Sequence, residues 1–135
     1  MIRRRFLSPV FVIAMSLAAP LAAKDSLGVF SNWAAFRDAQ VPRCYAIAKA
    51  EPIGPRGMAA RDYEPYASVG AWPSREIRGQ VHFRLSRELA QGARISLRVG
   101  QRRFTLVGGG GDAWAADKAM DAAIVAAMRS ADGMS

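Results

Sequence analysis

One cysteine and one histidine are all that this chain of 135 residues holds of those two residue types. With Cys44 as the single thiol, no disulfide can close within it, and an odd thiol in an exported chain is either buried and inert, paired with another chain, or short of a partner. With His82 as the single imidazole and no pair of ligands at zinc spacing, neither a structural nor a catalytic zinc site can be assembled in the usual way, and no cofactor is expected. A Cys44–His82 dyad would need two separate extended segments to meet, and no spacing requires it. A nucleotide-binding loop is missing as well. The run Gly108–Gly111 has neither the Gly-Lys-Ser/Thr ending nor a repeated strand–helix–strand context, so it reads as a flexible connector.

Long uninterrupted apolar runs are also lacking. The longest, Phe6 to Leu21, is broken by Ser8, Pro9, Ser16 and Pro20, and falls short of the roughly 20 residues of a membrane-spanning helix. It follows Arg3-Arg4-Arg5 and ends in Ala22-Ala23 before Lys24-Asp25. These are the basic start, apolar centre and small-residue exit of a cleavable secretion signal over residues 1–23, which places the working protein in the periplasm or outside the cell. The alternative is an uncleaved membrane anchor, in keeping with Leu21 where a smaller residue is usual.

What remains, residues 24–135, has the size of one domain with a modest core. Its 16 basic residues exceed its 11 acidic ones by five. Export makes nucleic acid an improbable partner for this charge and points to envelope lipid or an acidic host surface, with membrane contact only through the signal or an anionic surface.

Most of the pattern is that of strands. Residues 27–36 form an aromatic-rich opening segment that can supply one. Cys44 to Lys49 alternates, with Tyr45 and Ile47 on one face and Cys44, Ala46 and Ala48 on the other. Residues 51–65 carry three prolines and two glycines and read as a long loop. Tyr66 to Trp72 is a third strand ended by Pro73. Val81, Phe83 and Leu85 then alternate with polar partners, as do Ile95, Leu97 and Val99. Gly100-Gln101 suits a type II′ hairpin turn, which sets Arg102 opposite Val99, Phe104 opposite Leu97 and Leu106 opposite Ile95.

The same register sets Arg98 against Arg103 on the solvent side, and Arg94, His82 and Arg84 would enlarge that basic face if the strand of residues 79–85 is a neighbour. Such a face is either a solvated surface balanced by Glu76 or Glu88, or a candidate anion-binding site formed by Arg94, Arg98, Arg103, His82 and Arg84. Trp33, Phe36, Tyr63, Tyr66, Trp72 and Trp114 could stack on sugars or bases. Core packing is the expectation for Trp33 and Trp114.

From Asp112 onward the pattern turns helical. Met120, Ile124 and Met128 recur every four residues, Asp112 or Asp117 can cap the start and Gly133 can stop the end, which gives a helix within 112–132. The fold class expected is mainly β with one late helix.

Phe30-Ser31-Asn32-Trp33, then Cys44-Tyr45-Ala46-Ile47-Ala48, then Asp121 to Arg129 running into Gly133-Met134, all behind a secretion signal, resemble the invasion-associated locus B family of alphaproteobacterial envelope proteins. The resemblance spans residues 27–135 and rests on order and spacing. It implies a small immunoglobulin-like β-sandwich and an exported, non-enzymatic factor, associated in some members with entry into host cells. It transfers no catalytic residue. Chains of that family continue past the helix with a further strand. The resemblance therefore implies one of two things: the sequence stops short of that strand, or this member has lost it, which would leave a sheet edge exposed; a partner for Cys44 could lie in the same absent segment. The other function weighed is a periplasmic binding or inhibitor module for an anionic ligand.

Overall fold

The computed structural model describes residues 24–52, 54 and 61–135. The expected signal and much of the expected loop at 51–65 lie outside them. Eight strands are followed by one helix: β1 (Asp25–Phe30), β2 (Trp33–Asp38), β3 (Arg43–Lys49), β4 (Tyr66–Trp72), β5 (Ile77–Arg84), β6 (Ile95–Val99), β7 (Arg102–Gly109), β8 (Asp112–Trp114) and α1 (Lys118–Met128). All the strands belong to one antiparallel sheet in the order β1-β2-β3-β4-β5-β8-β7-β6. The protein is thus mainly β with a single late helix, consistent with a small β-sandwich. Trp33 of β2 lines one hollow together with Val99 of β6, Met128 and Met134, so the two ends of the sheet approach each other across the core.

Alternation decides which face is buried. Val81 and Phe83 of β5, Ala113 of β8, Leu106 of β7, and Leu97 and Val99 of β6 project to one side and join Ala67 of β4 in the core, and α1 packs Ile124 and Ala127 onto them. Val81, Ala113 and Ile124 are completely buried. Fully burying Val81 and Ile124 contributes about 1.5–3 kcal/mol each, which makes this the seam holding helix to sheet.

Three expectations meet the structure closely. The β6–β7 register has all three predicted pairs, with positive φ at Gly100 (+56°) and not at Gln101, as a type II′ turn requires. The strand from Tyr66 to Trp72 has the predicted ends. Asp117 is the N-cap of α1, its carboxylate accepting the Met120 N–H at 2.7 Å.

Other expectations are corrected. The opening segment is a hairpin, β1 and β2, turning at Ser31-Asn32. The helix begins at Lys118, because Asp112–Trp114 is taken up as β8, wedged between β5 and β7. Gly108–Gly111 is no free connector. Gly108 and Gly109 end β7, and a Cβ at Gly108 would collide with the backbone carbonyl of Asp112, so the close approach of β7 and β8 requires glycine there. The edge beyond β6 is partly occupied by this chain: Arg98 N–H donates to Ser135 O at 2.7 Å, Ser135 N–H to Arg98 O at 2.9 Å, and Val99 bridges Met134. The opposite edge is β1, which leaves Leu27, Val29 and Phe30 exposed. The described residues contain no helix long and apolar enough to cross a membrane.

Candidate functional site: the open face of the sheet

Because α1 covers one face, the side chains of opposite parity form the other. Asp112 and Trp114 alternate with buried Ala113, so both point away from the core, and pairing sets Trp114 beside His82 and Asp112 beside Arg84. Trp114 is 37% exposed, which overturns its assignment to the core. Trp33, by contrast, packs against the core as expected.

Asp112 organises the centre of this face. Its two oxygens take His82 Nε2 at 2.9 Å and Arg84 Nη1 at 2.6 Å. Partial burial pushes the Asp112 carboxyl up, and the hydrogen bonds and charges of His82 and Arg84 more than offset this, holding it below the ordinary carboxylate range. The Arg84 guanidinium is held above its ordinary value, chiefly by the hydrogen bond to Asp112 against desolvation. Arg84 also lies over the Tyr63 ring, 3.8 Å from its centroid, and that ring in turn covers Gly111 where a Cβ would not fit. His82 stacks on Trp114 with ring centroids 5.2 Å apart and meets the edge of Tyr66 at 5.6 Å. The contacts thus run from Tyr63 through Arg84, Asp112 and His82 to an exposed indole stacked on the His82 ring.

The five residues expected as a basic face are only partly brought together. Arg98 stands directly opposite Arg103 as predicted, and both are exposed. Among the described residues neither has an ion pair, with Glu76, Glu88 or any other carboxylate. Like charges so placed destabilise by a few tenths to about 1 kcal/mol. Arg94 is exposed just before β6. His82 and Arg84 share the open face, but β8 and β7 separate them from Arg98, and both are engaged by Asp112.

Cys44, the candidate free or intermolecular thiol, is exposed at the start of β3, paired across the sheet with Arg37 and Ala71, which removes the buried and inert alternative. Parity places it on the face opposite His82, so the two form no dyad. Among the described residues no group of three or more His, Cys, Asp or Glu could hold a metal ion.

Ser68 of β4 faces His82 directly, which sets a serine, a histidine and an aspartate on neighbouring strands. Acyl transfer needs more than these types. No hydrogen bond joins Ser68 Oγ to the ring among the described residues, and β4 lies between two paired strands whose ladders engage its backbone amides, so no oxyanion donors converge there. Among the described residues the arrangement presents rings and charges on one face.

No protein-family model, curated protein or solved structure matches the chain. Sequence reasoning missed Asp112 as a site residue, and it named Trp114 among the aromatics that could stack on a ligand but expected it in the core. Asp112-Ala113-Trp114 is too short to fix a period, and its aspartate also suits a helix start.

Proposed function

We propose that the protein is an exported, non-enzymatic factor of the envelope or extracellular medium that acts by binding through the open face of its sheet. The observation that carries this reading is the exposed Trp114, stacked on His82, which Asp112 in turn holds, on a face that the helix leaves uncovered. Ordering an aromatic side chain costs entropy and exposing it forgoes burial, and a surface that has already ordered its rings binds with less loss on association. The basic start and apolar run of residues 1–23, and the resemblance to the invasion-associated locus B family, support export and a role at cell surfaces.

The test uses the full chain, expressed in a Gram-negative host for fractionation and purified for binding. The expected result is recovery outside the cytoplasm with an N-terminus near Lys24, and saturable adsorption to isolated bacterial envelopes or cultured host cells that falls at least several-fold in Trp114→Ala. Recovery in the cytoplasm with Met1 intact sinks export, and adsorption unchanged in the variant sinks the open face.

The facing pair Arg98 and Arg103, without a carboxylate partner among the described residues, favours a second reading, a periplasmic binding or inhibitor module for an anionic ligand. The two readings share the same face and differ in whether the bound partner is fixed to a surface or free in solution.

A further inference from the structure

Three cross-strand pairs follow one another over the β8–β7–β6 corner of the open face. Trp114 pairs with Val107, Thr105 with Ser96, and Arg103 with Arg98. The pairing and the period-two alternation of β7 put all six side chains on the same face, and all six residues are exposed, Val107 by 50%. The face thus changes character along one line: an aromatic and aliphatic patch, then two hydroxyls, then two guanidiniums. From Val107 to Arg103 the line runs about 13 Å at the usual rise of about 3.3 Å per residue. At its basic end Arg98 also walls a hollow of about 320 Å³ between the β6–β7 turn and residues 133–135.

We propose that this line is a binding track for an acidic oligosaccharide, with a sugar ring stacked by its C–H face on Trp114 and Val107, ring hydroxyls meeting Ser96 and Thr105, and a carboxylate or sulfate held by Arg98 and Arg103. This rests on the reading of the open face as the working surface and names its ligand class. The segregation of charge selects the ligand. A single-stranded nucleic acid carries a phosphate at every unit and calls for cations close to the stacking ring. Here the cation nearest Trp114, Arg84, is already neutralised by Asp112, and the two unneutralised arginines stand at the far end of the track. The track therefore fits a ligand that is uncharged where it stacks and anionic some units away. Two facing guanidiniums can bind one anion bidentately or two anions side by side, and either removes the like-charge penalty carried by the free protein.

The full chain is titrated calorimetrically, and by chemical-shift perturbation, with three probes: an oligosaccharide of a few neutral sugars ending in uronic acid residues, its carboxyl-reduced counterpart, and a short single-stranded oligodeoxynucleotide. The expected result is saturable binding of the acidic sugar at least tenfold tighter than of its reduced counterpart, a loss of at least tenfold in Trp114→Ala and again in the Arg98→Gln, Arg103→Gln double variant, and weakening with salt in the wild type that flattens in the double variant. The substituted side chains are exposed, and matching circular dichroism and thermal unfolding check that each variant folds. Absence of acidic-sugar binding, binding indifferent to both variants, or tighter binding of the oligonucleotide overturns the track. If adsorption to envelopes or cells still depends on Trp114 while the acidic sugar fails to bind, the ligand class falls and the open-face reading stands. If neither depends on Trp114, both fall.

Discussion

The carboxylate of Asp121, in the first turns of α1, accepts the backbone N–H of Val81 at 2.8 Å in the core. The reason lies in the length of β8. Odd-numbered amides of β5 point towards β8, as Leu85 does in donating to Gly111 O at 2.7 Å, and β8 ends at Trp114 opposite His82. One residue further on, the Val81 amide has no strand to pair with, and a buried orphan N–H would cost about 1–3 kcal/mol. Asp121 supplies the acceptor. Replacing it by alanine should destabilise the protein by about that amount, whereas Asp121→Asn keeps an oxygen in place without a buried charge and should lie within about 1 kcal/mol of wild type. Urea unfolding of both variants checks this, and equal losses would show that the hydrogen bond is not what matters.

The two aspartates respond oppositely to pH. Burial raises the Asp121 carboxyl, against the Val81 hydrogen bond and with help from the charge of Asp117, so its contribution is present below the ordinary carboxylate value and lost as pH rises through its folded value. Asp112, held below that range, contributes above the ordinary value and loses it as pH falls through its folded value. Calorimetric melting temperatures between about pH 2 and pH 6 should therefore show a shallower acid loss in Asp112→Asn and a steeper one in Asp121→Asn than in wild type. Parallel curves for all three proteins would refute the assignment.

Gly108 and Gly109 are neighbours in sequence with opposite tolerances. A Cβ on Gly108 meets the Asp112 carbonyl, a backbone atom that cannot swing aside, while a Cβ on Gly109 meets nothing within 4 Å. Gly108→Ala should cost roughly 1–3 kcal/mol or more and disturb the seating of Asp112, and Gly109→Ala should be neutral or stabilising by up to about 1 kcal/mol. Thermal unfolding of the pair is the measurement, and similar values would contradict the close approach of β7 and β8.

Ser31 turns the first hairpin with φ of +55°, a region that costs an L-residue about 1–2 kcal/mol. Ser31→Gly should stabilise the fold by several tenths to about 1 kcal/mol, after the extra chain entropy of glycine is set against the relieved strain. A lower denaturation midpoint would mean that the serine makes a compensating contact.

Cys44 lies exposed, so a maleimide should label the native protein at a rate close to that of a free thiol, and Cys44→Ser should shift stability by no more than about 0.5 kcal/mol. Labelling only after denaturation would contradict the position of β3.

Where local chemistry and global packing agree, the sequence was readable. Gly100 fixes a turn, alternation fixes the faces beside it, and the β6–β7 hairpin follows to the residue. Tyr45 and Ile47 share a face for the same reason. The β1–β2 hairpin escaped because its turn has no glycine, only a serine forced to positive φ by the strands it joins. The strand β8 escaped because three residues are too few for a period, and its identity depends on the slot between β5 and β7, which is a tertiary fact. On the candidate site, the register fixed by the Gly100-Gln101 turn placed Arg98 against Arg103. The partnership of Asp112 with His82 and Arg84 needed the strand order, since β8 follows β7 in sequence yet lies between β7 and β5 in space. Asp121 did leave a trace. It is a charged residue on the helical stripe that also carries Ile124 and Met128, and a charge in that place asks for a partner.

The hollow shared by Trp33, Val99, Met128 and Met134 bears on how the chain acquires its fold during synthesis. Its walls come from the beginning and the end of the described sequence, and the sheet joins β5 to β8 across the intervening β6–β7 hairpin. A ribosome emitting this chain from its first residue cannot complete the core until Met134 has emerged, and contacts between such distant positions form slowly because a long loop must close first. Strands β1 to β5 each pair with a sequence neighbour and can form as they emerge, whereas β8 and α1 close the core last, so the helix seam is the late-forming part of the fold.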